Sequence, residues 1–169
     1  GYIVGGSSDS SPIKDSDGKT IGSKTEESRG SMDYWVVRLS PDGQVEWEKT
    51  FGGSFSDRLK DILILEDGFL IAGTSNSPLG TGSKTVQHYG ENDYWLIKLD
   101  DRGNEIWQKA YGGDGDDSLA QIISTENGYL IAGSSNSKPN PDGGKTAANG
   151  EGTDFWVVEI DKDGNTIWD

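Results

Sequence analysis

Three tripeptides, Asp33-Tyr34-Trp35, Asp93-Tyr94-Trp95 and Asp154-Phe155-Trp156, recur at a near-constant spacing along the chain. Each is followed, at one fixed interval after its Trp, by a second one, Trp47, Trp107 or Trp168. A period of roughly 60 residues makes each repeat one supersecondary unit that cannot cover its own apolar face, so consecutive units must bury one another. The copies read DYWVVRLSPDGQVEW, DYWLIKLDDRGNEIW and DFWVVEIDKDGNTIW, with further matches between KTFGG and KAYGG and among GYIVGGSS, GFLIAGTS and GYLIAGSS. The chain therefore folds as an array.

Within a copy the apolar period is two, which predicts strands. Trp35, Val37 and Leu39 fall on one face and Tyr34, Val36 and Arg38 on the other, so this strand belongs to a sheet covered on both sides. The loops SPDG, DDRG and DKDG suit tight reversals into a following strand that carries Trp47 or Trp107. Upstream, LKDILILEDGFLIAG is two apolar runs joined at Asp67-Gly68, and the next copy uses Asn127-Gly128, a strong hairpin signal. Each unit is then a meander of four antiparallel strands. In the second unit these span Leu59 to Leu65, Phe69 to Gly73, Asp93 to Leu99 and Glu105 to Gly112.

Four strands per roughly 60 residues, covered on both faces, predict an all-β fold of β-propeller blades. A two-sheet sandwich would leave one face of each sheet in water, and solenoid coils are shorter. The units are residues 1–57, lacking a first strand, 58–117 and 118–169, one segment of 11 strands and about two and three-quarter blades. Closure takes at least about four blades. The expectation is therefore an incomplete ring, either a piece of a longer chain or a subunit that joins copies of itself through open blade faces. The absence of an initiator Met fits a mature product or an excised piece.

GYLIAGSS, DYWVVRL, EWEKTFGG and the intervening GSKT resemble the repeat of secreted bacterial β-propeller proteins, commonly large cell-surface or extracellular chains that often end in a type IX secretion sorting domain. The third and fourth strands are also similar to the tryptophan-docking strands of quinoprotein propellers, where a Trp wedges between blades. The resemblance implies a fold and a secreted setting, and no single activity. Identical placement in every repeat assigns Trp35, Trp47, Trp95, Trp107, Trp156 and Trp168 to core or blade-to-blade packing, with sugar-stacking platforms as the other option.

Composition narrows the function. With 15 basic and 29 acidic residues the net charge is −14, which disfavours nucleic acid and anionic membranes. The chain has no Cys, which removes thiol chemistry, and one His, His88, which makes zinc sites and histidine triads hard to build. No apolar run reaches the roughly 20 residues of a membrane span.

Ligands of scaffolded β-folds meet the long-loop side, here residues 7–32, 74–92 and 134–153 with GGSFSD and GGDGDD. Lys24-Thr25, Lys84-Thr85 and Lys145-Thr146 recur there in register. They form either a ring of donors to an anionic or sugar ligand or a device that stabilises each loop. GGKT is not a phosphate loop, since Pro139 stands where the first Gly is required. Asp33, Asp93, Asp154, Asp57 and Asp117 read as turn residues that accept backbone N–H bonds, with calcium as the other option. For calcium the candidates are Asp15 and Asp17, in an incomplete calcium-loop pattern, and Asp114, Asp116 and Asp117, whose charges repel unless screened. His88 reads as a solvated side chain and Tyr89 as an exposed contact.

The expected function is a non-enzymatic, secreted or cell-surface structural and protein-interaction scaffold, with no cofactor and with copies of itself or further blades as partners. The alternative is a glycan-binding or calcium-dependent adhesive module that uses the long-loop face. A hydrolase with paired carboxylates is the remote reading.

Overall fold

The computed structural model describes residues 1–22 and 24–169. The chain is all-β, built as β1 (Tyr2–Ser8), β2 (Ile13–Lys14), β3 (Thr20–Ile21), β4 (Asp33–Leu39), β5 (Val45–Phe51), β6 (Asp57–Leu65), β7 (Gly68–Ser75), β8 (Asp93–Asp100), β9 (Glu105–Tyr111), β10 (Asp117–Ser124), β11 (Gly128–Ser135), β12 (Asp154–Asp161) and β13 (Thr166–Trp168), with one 3-10 turn at Pro141–Gly143. The first sheet orders β1-β4-β5, the second β6-β7-β8-β9 and the third β10-β11-β12-β13, all antiparallel. A small hairpin, β2-β3, decorates the first long loop and has no counterpart in the repeat pattern. Among the described residues no helix is long and apolar enough to cross a membrane.

The sheets repeat one register: Gly6 pairs with Trp35, Gly73 with Trp95, and Gly133 with Trp156. The second and third sheets begin at Asp57 and Asp117, immediately before the unit boundaries read from sequence. The SPDG-type turns carry Gly43, Gly103 and Gly164 at φ of +80°, +77° and +79°. Three residues beyond these turns the following strand carries an extra residue, Glu46 or Ile106, which shifts the register between Arg38 and Leu39 and between Lys98 and Leu99. At Asp67-Gly68 the hairpin forms differently from the expectation. Glu66 and Asp67 make the turn, and Gly68 opens β7 against Leu99, whose carbonyl oxygen would lie 2.0 Å from an added Cβ.

Two apolar cores lie between the sheets. Tyr34, Val36 and Phe51 meet Phe69, Ile71, Trp95, Ile97 and Leu99 in one, and Leu70, Ala72, Tyr94 and Leu96 meet Leu119, Ile131, Trp156, Val158 and Ile160 in the other. Alternate residues of the second sheet thus feed opposite cores, and β7 is buried along its whole length. Full burial of one such Leu or Ile is worth about 1.5–3 kcal/mol, so a sheet lined on both faces is held more firmly than its neighbours.

The six Trp split into three roles. Trp95 and Trp156 are sealed inside the cores at 0% and 2% exposure. Trp47 and Trp107 reach across the two junctions, their indole N–H groups donating to the Asp101 and Lys162 carbonyls at 3.1 and 3.3 Å. Trp35 and Trp168 pack against no neighbouring sheet: Trp35 lines the outer face of the first, and Trp168, 48% exposed, turns back to Glu159. Trp47, Trp95, Trp107 and Trp156 thus lie between sheets, and the outer two face the ends of the stack.

Candidate functional site

The Lys-Thr repeats are anchored to the strand tryptophans. The ammonium groups of Lys24, Lys84 and Lys145 lie 5.8, 5.4 and 4.8 Å from the ring centres of Trp35, Trp95 and Trp156, within cation–π range. All three lysines are buried, Lys84 completely. Lys84 Nζ donates to Ser75 Oγ at 2.6 Å and Lys145 Nζ to Asn149 Oδ1 at 3.1 Å. Burial lowers the Lys84 pKa to about 8, against the pull of Asp93 and Asp57. These ammonium groups point into the protein, so a ring of lysines offered to a ligand in solvent does not form.

The neighbouring threonines complete the motif. Gln108 Oε1 accepts the Trp95 indole N–H at 3.1 Å and the Thr85 backbone N–H at 3.0 Å. Asp169 takes the Trp156 indole at 3.0 Å and Thr146 N at 2.8 Å, and Glu48 takes Trp35 and Thr25 in the same way. For Glu48 burial pushes the carboxyl up, yet the hydrogen bonds from Thr25 and Trp35 hold it below its ordinary value. The lysine covers the indole face and one acceptor ties the indole edge to the loop, which fixes each long loop over its own sheet.

The aspartates close the loops. Asp33 Oδ2 accepts from Ser28 Oγ and Arg29 N, both at 2.6 Å, Asp93 Oδ2 from Tyr89 N at 2.8 Å, and Asp154 Oδ2 from Gly150 N at 2.7 Å. His88 is not free in solvent, since its Nδ1 lies 2.8 Å from Asp93 Oδ2. Tyr89 is likewise occupied, its hydroxyl donating to the Asp142 carbonyl in the third unit. Asp57 and Asp117, both fully buried, accept from Gly53 N with Ser77 Oγ and from Gly113 N with Ser137 Oγ, at 2.7–2.8 Å. Burial raises the Asp117 carboxyl above its ordinary value, and the Asp93 charge adds to this.

The calcium candidates do not converge. Asp15 caps its own turn through the N–H groups of Asp17 and Lys19. Asp114 binds Lys138 N at 2.9 Å, Asp116 accepts from Asn92 Nδ2 at 2.8 Å, and Asp117 turns into the junction between sheets. Among the described residues no three His, Cys, Asp or Glu side chains gather around one point.

Two grooves were not read from the sequence. One, of 270 Å³, opens at the loop edge and is polar, lined by Arg58 and Lys60 of β6 with Ser56, Asn76, Asn92 and Asp116 among others. Arg58 and Lys60 stand where the third unit has Ser118 and Ala120, and that difference between DRLKD and DSLAQ was the available signal. The other, of 380 Å³, is apolar and lies on the outer face of the first sheet, lined by Val4, Trp35, Val37, Leu39 and Val45 beside Gly6. The chain matches no family model and no curated protein.

Proposed function

We propose that this chain is a structural and protein-interaction module without enzymatic activity, its three sheets being successive blades of a β-propeller of the secreted or cell-surface kind. The observation that carries this reading is the junction made twice in identical form. Tyr34 donates to the Trp95 carbonyl at 3.0 Å with ring centres 4.9 Å apart, and Tyr94 donates to the Trp156 carbonyl at 3.1 Å with ring centres 4.8 Å apart. Sheets that pack through one repeated contact form a rigid scaffold, and the polar loops above it are free to vary. The resemblance of the repeat to secreted bacterial propellers supports the extracellular setting.

A second reading, a glycan-binding module on the long-loop face, is favoured by the polar groove. Arg58, Lys60, Asn76 and Asn92 offer convergent donors of the kind that hold hydroxyl-rich or anionic groups. One experiment separates the readings: the whole chain is screened for binding to glycans and cell-surface proteins, beside hydrolysis assays on the same glycans. Protein binding without turnover supports the scaffold. Glycan binding lost in Arg58→Ala and Lys60→Ala supports the groove. Turnover abolished by changing a single Asp overturns both.

A further inference from the structure

The two outer faces of the sheet stack are the separated halves of the junction that the chain builds twice inside itself. In each internal junction two aromatic side chains, set at the same interval in both repeats, seat against two glycines of the next sheet. Tyr34 and Trp47 enter beside Gly73 and Gly103, where an added Cβ would lie 2.7 Å from the Tyr34 hydroxyl and 3.1 Å from the Trp47 ring. Tyr94 and Trp107 enter beside Gly133 and Gly164, with corresponding distances of 2.7 and 3.3 Å. The equivalent glycines of the first sheet are Gly6 and Gly43, and nothing lies within 4 Å of a Cβ at either. They flank the apolar groove of Val4, Trp35, Val37, Leu39 and Val45. At the other end of the stack the equivalent aromatics, Phe155 and Trp168, are 96% and 48% exposed. The first sheet thus carries two empty sockets, and the third carries two unseated aromatics at the matching spacing.

We propose that the outer face of the third sheet docks onto the outer face of the first sheet in a second copy of this chain. Phe155 covers Trp35 beside Gly6, and Trp168 leaves Glu159 to seat beside Gly43. There its indole N–H donates to the Pro41 carbonyl, the counterpart of the Asp101 and Lys162 carbonyls that receive Trp47 and Trp107. This deepens the scaffold reading and rests on it. The contact is head-to-tail, so it closes into a ring or propagates according to its rotation. It differs from the internal junctions in three respects: Phe155 has no hydroxyl, so the bond that Tyr34 and Tyr94 give to the facing Trp carbonyl is missing; Glu159 stands where Arg38 and Lys98 stand, and Arg38 covers the Phe69 ring; and the first sheet has no counterpart of β6 or β10 to add apolar contacts. The joint between copies is therefore weaker than those within a chain, and each copy's charge of −14 weakens it further at low salt.

The test is sedimentation velocity of the whole chain across a concentration series, at low and moderate salt. The expected result is a reversible, concentration-dependent species heavier than the monomer, favoured by salt. Phe155→Tyr, at an exposed site, restores the hydroxyl and tightens association about five- to tenfold. Val4→Glu places a charge in the groove and weakens it at least about tenfold. Urea unfolding of both variants at low concentration verifies that the monomer fold is unchanged. A monomer at every concentration in both the wild type and Phe155→Tyr overturns the docking, as does association that neither variant alters. A chain that stays monomeric yet binds a surface protein through its loops overturns the docking alone. Substrate turnover overturns the scaffold reading whatever the mass.

Discussion

Gln108 holds the edge of the Trp95 indole and the backbone of Thr85 with a single side-chain oxygen, at 3.1 and 3.0 Å. The link joins a fourth strand, a third strand and the long loop before it, and the same position is Glu48 in the first unit and Asp169 in the third. Gln108→Ala leaves both donors without their partner and is expected to cost about 2 kcal/mol. Gln108→Glu keeps that acceptor but replaces the Nε2 that donates to the Ser83 carbonyl at 2.8 Å and to Glu105 at 3.0 Å with an oxygen, so it should cost at least as much as the alanine variant. Urea unfolding of the two variants measures the difference.

Tyr34→Phe and Tyr94→Phe remove the hydroxyl donated across each internal junction while keeping the ring. Each should cost about 1 kcal/mol, and the double variant the sum, because the two sites lie in separate cores. Chemical denaturation of the three variants tests both the size and the additivity.

Position-equivalent glycines should respond in opposite ways. A Cβ at Gly73 would stand 2.0 Å from the Arg58 carbonyl and 2.7 Å from the Tyr34 hydroxyl, so Gly73→Ala is expected to cost about 3 kcal/mol or more. Gly6 has open space, and Gly6→Ala should leave the monomer within about 0.5 kcal/mol of wild type. Thermal melts of the pair decide this. Equal losses would mean that neither the β6 backbone nor the Tyr34 hydroxyl approaches Gly73 as described.

Stability should rise between about pH 8 and 10. Lys84 has its folded pKa lowered by burial to about 8, against an ordinary value of 10.5. Across that window the unfolded chain binds more protons than the folded one, so raising the pH favours folding. Above about pH 10 the trend reverses, since burial raises the hydroxyls of Tyr34, Tyr94 and Tyr111 and only the unfolded chain then ionises them. Lys84→Met should flatten the rise while leaving the alkaline fall. Urea midpoints at intervals from pH 7 to 11 follow both limbs.

Calcium should leave the melting temperature unchanged, because Asp15, Asp114 and Asp116 are each engaged with separate donors. Calorimetric titration with calcium measures this directly. Heat accompanied by a rise in melting temperature would require these loops to rearrange around the ion.

The repeat was legible because its signals are local or strictly periodic. The alternation in DYWVVRL sets which residues share a face, the SPDG-type turns set where strands reverse, and the constant spacing of the copies sets the register that recurs in all three sheets. The site was less legible. Lys24, Lys84 and Lys145 recur in phase, but a spacing does not say on which side of a loop an ammonium ends. That depends on a Trp ring contributed by the following strand and on an acceptor from the strand after it. Arg58 and Lys60 join Asn76, Asn92 and Asp116 only where separate chain segments meet. Likewise the sequence treats the three Trp of each set alike, since it places them at the same point of every repeat. Only the stacking order distinguishes Trp95, with a sheet on either side, from Trp35 and Trp168, each at an end. Periodicity along the chain thus fixed the unit and its faces by itself. Burial, and with it the fate of every repeated Lys, Asp and Trp, is a property of what lies opposite, which only the packing of one sheet on another supplies.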